Sequence, residues 1–296
     1  MLREVRELLS YHRSSTARFA RHDVRNVFDK AMRDLGKVGF GTLPGKRVLD
    51  LGCGQRYSFA LQCAAAGARV TALDVDYVRP DSLPLAFQRM WRHNGLKRAA
   101  KSTMRRVLFD PQYYRLLESH AGKPLREGRS TIEFVVADPT GTSYPLPSSS
   151  FDLIVSNAVL EHVRDVPRYA GEVARLLADG GYFYAIIHNF YSLSGGHHME
   201  WAFPDEHPSK SVPPWDHLRD NRFPAWVYLN RQRPEDFQGA FRPHLEILSF
   251  QGVGIDHDPG QLEGESLLAV PLATELAAYP PELLLTRSWC LVGRKG

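Results

Sequence analysis

Val48-Leu49-Asp50-Leu51-Gly52-Cys53-Gly54 is a short apolar run that ends in an acid and a glycine turn. The apolar residues predict a buried strand at 47–51, and the glycines predict a sharp turn in which the backbone approaches a ligand closely. A helix is expected at 59–66, ended by Gly67, before a second strand at 70–73. Strand, helix and strand in this order are typical of a parallel sheet with crossover helices.

The same alternation continues along the chain. Further strands are expected at 132–137, 151–156, 182–187, 245–250 and 286–292, and further helices at 14–35, 166–178 and 235–241. We therefore predict an α/β fold in which a doubly wound, mostly parallel seven-stranded sheet ends in an antiparallel pair. The expected organisation is one domain (1–296) with an N-terminal helical cap (1–45) and helical insertions that form a lid.

Composition fits a globular protein of ordinary charge. The 296 residues are 43% hydrophobic and 24% charged, with a formal net charge of +4, which permits acidic partners but does not require nucleic acid. The N-terminus lacks an apolar signal-peptide core, and no apolar run approaches the roughly 20 residues that span a bilayer. Because the three cysteines have no metal or redox spacing, a reduced cytoplasmic location is expected.

The glycine turn favours a cationic cofactor over a dinucleotide. A dinucleotide fingerprint places a third glycine where this chain has Tyr57. Asp50 ends the strand instead, where a carboxylate would repel a pyrophosphate but suits an amino group or a sulfonium.

Further polar residues follow the next strands. Asp74, rather than its neighbour Asp76, is expected to accept hydrogen bonds from two ribose hydroxyls, and Asp138 to meet an adenine amino group. Each acid alone is more simply a solvated loop residue, but together they follow strands one, two and three in order. The predicted cofactor-binding residues are Asp50, Gly52, Cys53, Gly54, Asp74, Val75, Asp138, Pro139, Ser156 and Asn157.

These motifs resemble the class I S-adenosylmethionine (SAM)-dependent methyltransferases. The resemblance rests on the glycine turn at 50–54, on the fourth-strand stretch 146–163, which contains Leu160-Glu161-His162, and on the turn at 177–182. It covers about 47–187, less a basic insertion. The resemblance implies a SAM-binding methyltransferase in which Asp50 and the glycines line the methionine part of the cofactor.

The segment 188–233 is the predicted acceptor site, because it follows strand five at the ligand-binding edge. Gly195-Gly196 is expected to turn tightly and to present His197 or His198 as the general base, while His188 and His162 are weaker candidates. Two alternatives are open. The aromatic residues here could be a packed core, and a divalent metal could bind His197, His198 and Glu200.

A second, weaker resemblance concerns the acceptor. The run 213–219, with 228–230, is similar to bacterial methyltransferases of cell-surface polysaccharide or glycolipid assembly, which implies a sugar hydroxyl as acceptor. A nucleobase amine is disfavoured because no Asn/Asp-Pro-Pro-aromatic run follows strand four. The alternatives are a natural product, a lipid or a quinone-like ring as acceptor, or a non-catalytic SAM-binding or RNA-binding protein.

The insertion at 77–130 is expected to be helical and basic. It contains an acid-free run of basic residues: Arg89, Arg92, His93, Lys97, Arg98, Lys101, Arg105 and Arg106. One interpretation is a solvated helical face, and the other is peripheral contact with an anionic membrane or a phosphate. Nucleic acid is unlikely because few aromatic side chains interleave the basic ones.

Overall fold

The computed structural model describes residues 15–79, 81–201, 204, 208–269 and 271–296. The predicted cap at 1–45 is therefore described only from residue 15, and parts of the insertions at 77–130 and 188–233 lie outside the described residues. The chain forms two compact units: the first comprises Met1–Pro139 and Phe151–Val155, and the second Thr140–Ser150 and Ser156–Gly296.

Seven strands form one sheet. They are β1 (Arg47–Leu51), β2 (Arg69–Asp74), β3 (Glu133–Val136), β4 (Phe151–Asn157), β5 (Leu177–His188), β6 (Glu246–Val253) and β7 (Ser288–Arg294). Their order is β3-β2-β1-β4-β5-β7-β6. Strand β1 pairs in parallel with β2 and β4, and β2 with β3, whereas β7 is antiparallel to both β5 and β6. The predicted doubly wound, mostly parallel sheet is confirmed.

Helices of the first unit flank the start of the sheet. Residues 15–22 are helical, a π-helical segment follows at Asp23–Phe28, and helix α1 spans Asp29–Lys37. Helix α2 (Ser58–Ala65) begins after Tyr57, which is buried and left-handed with φ 35°. Gly67, with φ 86°, follows the helix as predicted.

Three helices occupy the excursion between β2 and β3. They are α3 (Leu83–Asn94), α4 (Leu96–Leu108) and α5 (Asp110–Ala121). Tyr77, Met90 and Ala99 form a small buried core under α3 and α4. The Asn94 side chain accepts from the Tyr77 amide at 3.2 Å and donates to the Val75 carbonyl at 2.8 Å. The excursion is therefore tied to the end of β2.

Four α-helices lie in the described part of the second unit. They are α6 (Val166–Leu176), α7 (Pro234–Phe241), α8 (Leu272–Glu275) and α9 (Pro281–Leu285). Asp165 caps α6 by accepting from the Arg168 amide. Helix α6 ends two residues earlier than predicted and β5 begins at Leu177 rather than 182. Strand β5 therefore includes the turn residues before 182. Gly180 has φ 71°, and its amide donates a hydrogen bond to the Lys295 carbonyl.

The segment 188–233 has a packed interior. Leu193, Trp201 and Trp215 are buried with Leu276 and Leu284, so the packed-core interpretation is correct for these two tryptophans. Trp226 is 83% exposed and does not belong to that core. Among the described helices, none is both long and apolar enough to cross a membrane.

Candidate functional site

The glycine turn after β1 adopts the predicted conformation. Gly52 has φ 85° and Gly54 has φ 65°, values that side chains rarely adopt. The amides of Gly52 and Cys53 both donate to the Leu73 carbonyl, at 2.9 and 3.1 Å. A Cβ added at Gly54 would meet nothing within 4 Å. The backbone angle, rather than crowding, therefore requires glycine at this position.

Asp74 joins the end of β2 to that turn. Its carboxylate accepts from the Gly54 amide at 2.9 Å and from the Asp76 amide at 2.8 Å. Burial raises the pKa of Asp74, although these two amides oppose the shift. The competing acid, Asp76, is paired with Arg98 through both of its oxygens. Of the two acids, only Asp74 is bonded to the glycine turn.

Asp50 is more deeply buried than expected for a residue predicted to contact the cofactor. It is 3% exposed and accepts from the Ala60 amide in the first turn of α2 at 3.1 Å. Burial raises its pKa to about 7, with a smaller contribution from the Asp74 charge. Asp50 supports the helix N-terminus, and a direct contact with the methionine part of a cofactor stays a prediction.

A cavity of about 450 Å³ opens beside the turn in the first unit. Its volume is ordinary for a small-molecule pocket. The lining residues are Asp23, Cys53, Gly54, Gln55, Arg56, Tyr57, Ser58, Asp74, Asp76, Arg98 and Arg105. Carboxylates and guanidiniums face one space, which suits a ligand with an amino acid head and a ribose. The donor set therefore fits SAM, with Cys53, Gly54 and Asp74 as the predicted residues that would hold it.

Several arginines of the basic run form ion pairs within the first unit. Arg89 pairs with Asp81, Arg98 with Asp76, and Arg105 with Asp110. Burial lowers the pKa of Arg105. The interpretation of the whole run as a free basic face is therefore wrong for these arginines, because acids elsewhere in the unit neutralise them.

The remaining first-unit residues of the predicted cofactor site surround the ends of β2 and β3. The Ala137 amide donates to the Asp74 carbonyl at 3.0 Å, which brings the next residue, Asp138, to the same edge. Asp138 and Val75 are exposed and Pro139 is half-buried. The three acids thus follow neighbouring strands as predicted.

Ser156 and Asn157 belong to the second unit. Ser156 is buried and its Oγ lies 3.3 Å from the Tyr169 hydroxyl. The Asn157 Oδ1 atom is buried without a hydrogen-bond partner among the described residues. Asn157 therefore offers a buried acceptor to a ligand, whereas Ser156 is already engaged within the unit.

Five histidines gather in the second unit. We call them the histidine cluster: His162, His188, His197, His198 and His217. His188, the last residue of β5, places Nδ1 3.0 Å from His197 Nε2. The rings of His162 and His197 meet edge to face at 5.0 Å. Sequence reasoning had singled out four of these residues as candidates, and His217 is the addition.

Burial keeps the imidazole rings of His188, His197 and His217 neutral. It lowers the pKa of His188 well below the usual range, that of His197 to about 3 and that of His217 to about 4. Neighbouring histidines act in the same direction, because a second positive charge nearby is unfavourable. Neutral imidazoles keep a free lone pair, which can accept a proton or bind a metal.

The two glycines of this segment provide space rather than unusual backbone angles. A Cβ at Gly195 would lie 2.0 Å from the Phe190 carbonyl oxygen, and one at Gly196 would lie 2.9 Å from the His198 and His217 rings. The positive φ of the turn falls on His197 itself, at 56°. The tight turn was predicted, but its strained residue was not.

Glu161 is the polar residue that sequence reasoning left without a role. It is 1% exposed, and burial raises its pKa to about 8. Its donor atom lies within 4.8 Å of those of His188 and His197, a group that could hold a metal ion. This group shares only His197 with the metal set expected from the sequence, which was His197, His198 and Glu200, and Glu200 is exposed.

Comparison with known proteins relates the chain to methyltransferases. A family described as "Methyltransferase domain" matches residues 19–220. An S-adenosylmethionine-dependent methyltransferase from Mesorhizobium loti is 21% identical, covering 90% of this chain and 98% of that chain, with a TM-score of 0.48. Geranyl diphosphate C-methyltransferase from Streptomyces coelicolor A3(2) is 10% identical, with 90% and 78% covered and a TM-score of 0.47. No curated protein matches the sequence.

Proposed function

Because the chain belongs to the methyltransferase domain family and its cofactor is SAM, we propose that it methylates a hydroxyl of a saccharide or glycolipid precursor. The observation that carries this proposal is a pair of unsatisfied ring nitrogens. His198 Nε2 and His217 Nδ1 are both buried without a hydrogen-bond partner among the described residues. Both lie 2.9 Å from the position that a Cβ on Gly196 would take.

The proposed base is a histidine, as a hydroxyl acceptor must lose its proton during transfer. His197 uses Nε2 to contact His188. His198 Nε2 has no partner in the described part of the chain, and His198 is therefore the favoured base of the predicted two. An acceptor hydroxyl beside Gly196 would satisfy His198 Nε2 by donating its proton to it. His217 Nδ1 is a second acceptor in the same space, because His217 Nε2 donates to the Phe190 carbonyl at 2.7 Å.

Aromatic residues beside the cluster support a sugar acceptor. His162 Nδ1 donates to the Tyr228 carbonyl at 2.8 Å, which joins the cluster to the segment 223–228. Phe223, Trp226 and Tyr228 are 41%, 83% and 42% exposed in that segment. Exposed aromatic faces suit the apolar faces of sugar rings.

Incubation with SAM and an acceptor panel tests the proposal. We expect S-adenosylhomocysteine to form with a saccharide or a polyprenyl-linked sugar, and the matched deoxy sugar to give none. Turnover only on phenolic or quinone-like rings would overturn the sugar assignment. SAM binding without turnover on any acceptor would instead favour the non-catalytic alternative.

We also propose a peripheral contact with an anionic membrane, made by α3 and α4. Large apolar side chains are exposed there, namely Leu83, Trp91, Leu96, Val107 and Leu108. The exposed basic residues Arg92, Lys97 and Lys101 accompany them. Exposed apolar and basic side chains on short helices are typical of surfaces that bind the membrane interface.

Lys101→Glu is expected to weaken binding to anionic vesicles by about ten-fold or more, because each basic residue near such a surface contributes roughly 1 kcal/mol. Flotation with phosphatidylglycerol vesicles at low and high salt measures this effect. Lys210→Glu makes the same charge change in the second unit and should leave flotation nearly unchanged. If the wild-type protein does not float at low salt, the basic face is only solvated.

A further inference from the structure

Glu161, His188 and His197 bring one carboxylate and two imidazoles together in the second unit. One donor atom from each lies within 4.8 Å of the other two. We propose that these three side chains bind one divalent first-row transition-metal ion. Two nitrogen donors and one oxygen donor suit zinc, manganese, iron or cobalt better than magnesium, which prefers oxygen ligands.

Glu161 is the residue whose surroundings point most directly to a ligand. Both of its carboxylate oxygens are buried and lack a side-chain partner or a hydrogen bond of good geometry among the described residues. The nearby amides of Glu161 and His188 only partly offset the effect of burial, which still raises the pKa of Glu161. A buried carboxylate without hydrogen-bond partners destabilises the folded state, and most buried polar atoms in proteins have such partners. A cation between Glu161 and the two imidazoles would satisfy it.

The hydrogen bonds around His188 leave one of its ring nitrogens available to bind a metal ion. The Ser194 hydroxyl donates to Glu263 at 2.9 Å, and its oxygen lies 2.9 Å from His188 Nε2. His188 therefore donates through Nε2 and keeps a lone pair on Nδ1. Glu263 is itself paired with Arg287. A chain from the imidazole to a carboxylate is the usual support of a metal-bound histidine.

His197 holds the second nitrogen at coordination distance. Its Nε2 lies 3.0 Å from His188 Nδ1. Two ligands at about 2.1 Å from one ion and roughly at right angles are about 3 Å apart. Without an ion the same spacing serves a hydrogen bond, in which His197 Nε2 carries the proton. Coordination needs only the other tautomer, with that proton on Nδ1.

The backbone at His197 is strained in a way that a functional contact explains. Its φ of 56° is uncommon for a non-glycine residue. The His197 amide donates to the Ser194 carbonyl at 3.0 Å, which holds the turn in place. Such strain usually persists where the surrounding structure needs a side chain in one position.

Three protein donors leave open positions on the ion, which is the arrangement of catalytic rather than structural metal sites. An acceptor hydroxyl bound there would lose its proton more readily. This role rests on the proposed function, whereas binding of the ion does not.

Titration of the metal-stripped full chain with Co²⁺ tests the inference. We expect a visible absorption band that saturates at one ion per chain and disappears with a chelator. Glu161→Gln and His197→Gln should each weaken Co²⁺ binding by about ten-fold or more, since even residues behind the ligands have effects of this size. His244→Gln, at an exposed histidine outside the cluster, should bind as wild type does.

Circular dichroism and SAM calorimetry accompany each titration. If a ligand variant unfolds, Ser194→Ala replaces it. That change leaves all three ligands in place but removes the partner of His188 Nε2 and its link to Glu263, so it should also weaken Co²⁺ binding. A wild-type chain without a saturable band, or folded variants with unchanged affinity, would overturn the site. If the protein turns over its acceptor normally but binds no metal, only this inference is wrong. If it binds the metal normally but turns over no acceptor, only the proposed function is wrong.

Discussion

Asp74→Ala should lower the affinity for SAM by about ten- to a hundred-fold, the range for lost hydrogen bonds to a charged group. The substitution removes the predicted ribose partner. It also frees the Gly54 and Asp76 amides, which both donate to Asp74, so the glycine turn loses one of its hydrogen bonds to the end of β2. Isothermal titration calorimetry with SAM and S-adenosylhomocysteine measures the loss.

Two matched variants separate the parts of this effect. Asp74→Asn keeps one oxygen for the Gly54 amide and should bind SAM more weakly than wild type but better than Asp74→Ala. Asp76→Asn alters the neighbouring acid, whose oxygens are engaged by Arg98, and should change the affinity less. A folded Asp74→Ala protein with wild-type affinity would remove Asp74 from the cofactor site.

His198→Gln should lower kcat by about 10²–10⁴-fold, the usual contribution of a general base. The affinity for SAM should stay nearly unchanged, because a base acts in the transition state rather than in cofactor binding. Steady-state kinetics on the acceptor found in the panel measure both quantities. Glutamine preserves much of the imidazole volume in the crowded space beside Gly196.

The other cluster histidines provide the comparison for this experiment. His197→Gln tests the second predicted base, and His244→Gln controls for loss of an exposed histidine. Full kcat in both His197→Gln and His198→Gln would place the base elsewhere. His188 would then be tested next, since its ring contacts His197.

The fold, and the positions of the candidate cofactor residues at the ends of its strands, were largely predictable because their signals are local. A parallel strand that is buried on both faces reads as an apolar run, and the residue after it falls at the ligand-binding edge. Asp74 and Asp138 could therefore be placed from spacing alone. The register between β2 and β3 brings the ends of their strands together as expected.

The parts that were missed depend on contacts between distant residues. No local pattern says that Arg98 pairs with Asp76, 22 residues away, or that Arg105 donates to the Gln55 carbonyl, so the basic run looked free. Glu161 was quoted as part of a motif, but its proximity to His188 and His197 arises only when the chain folds. His217 was hidden for the same reason.

The ion pair between Arg98 and Asp76 also bears on how such an enzyme can change over time. Asp76 is 2% exposed, and its charge is matched by a residue of the helical excursion. Removing the excursion would leave a buried carboxylate unmatched, which is strongly destabilising. Grafting it onto a core with a neutral residue at that position would bring an unmatched guanidinium to the cofactor cavity. The excursion is therefore coupled to the end of β2 through this ion pair, so that exchanging it would require a matching change at position 76.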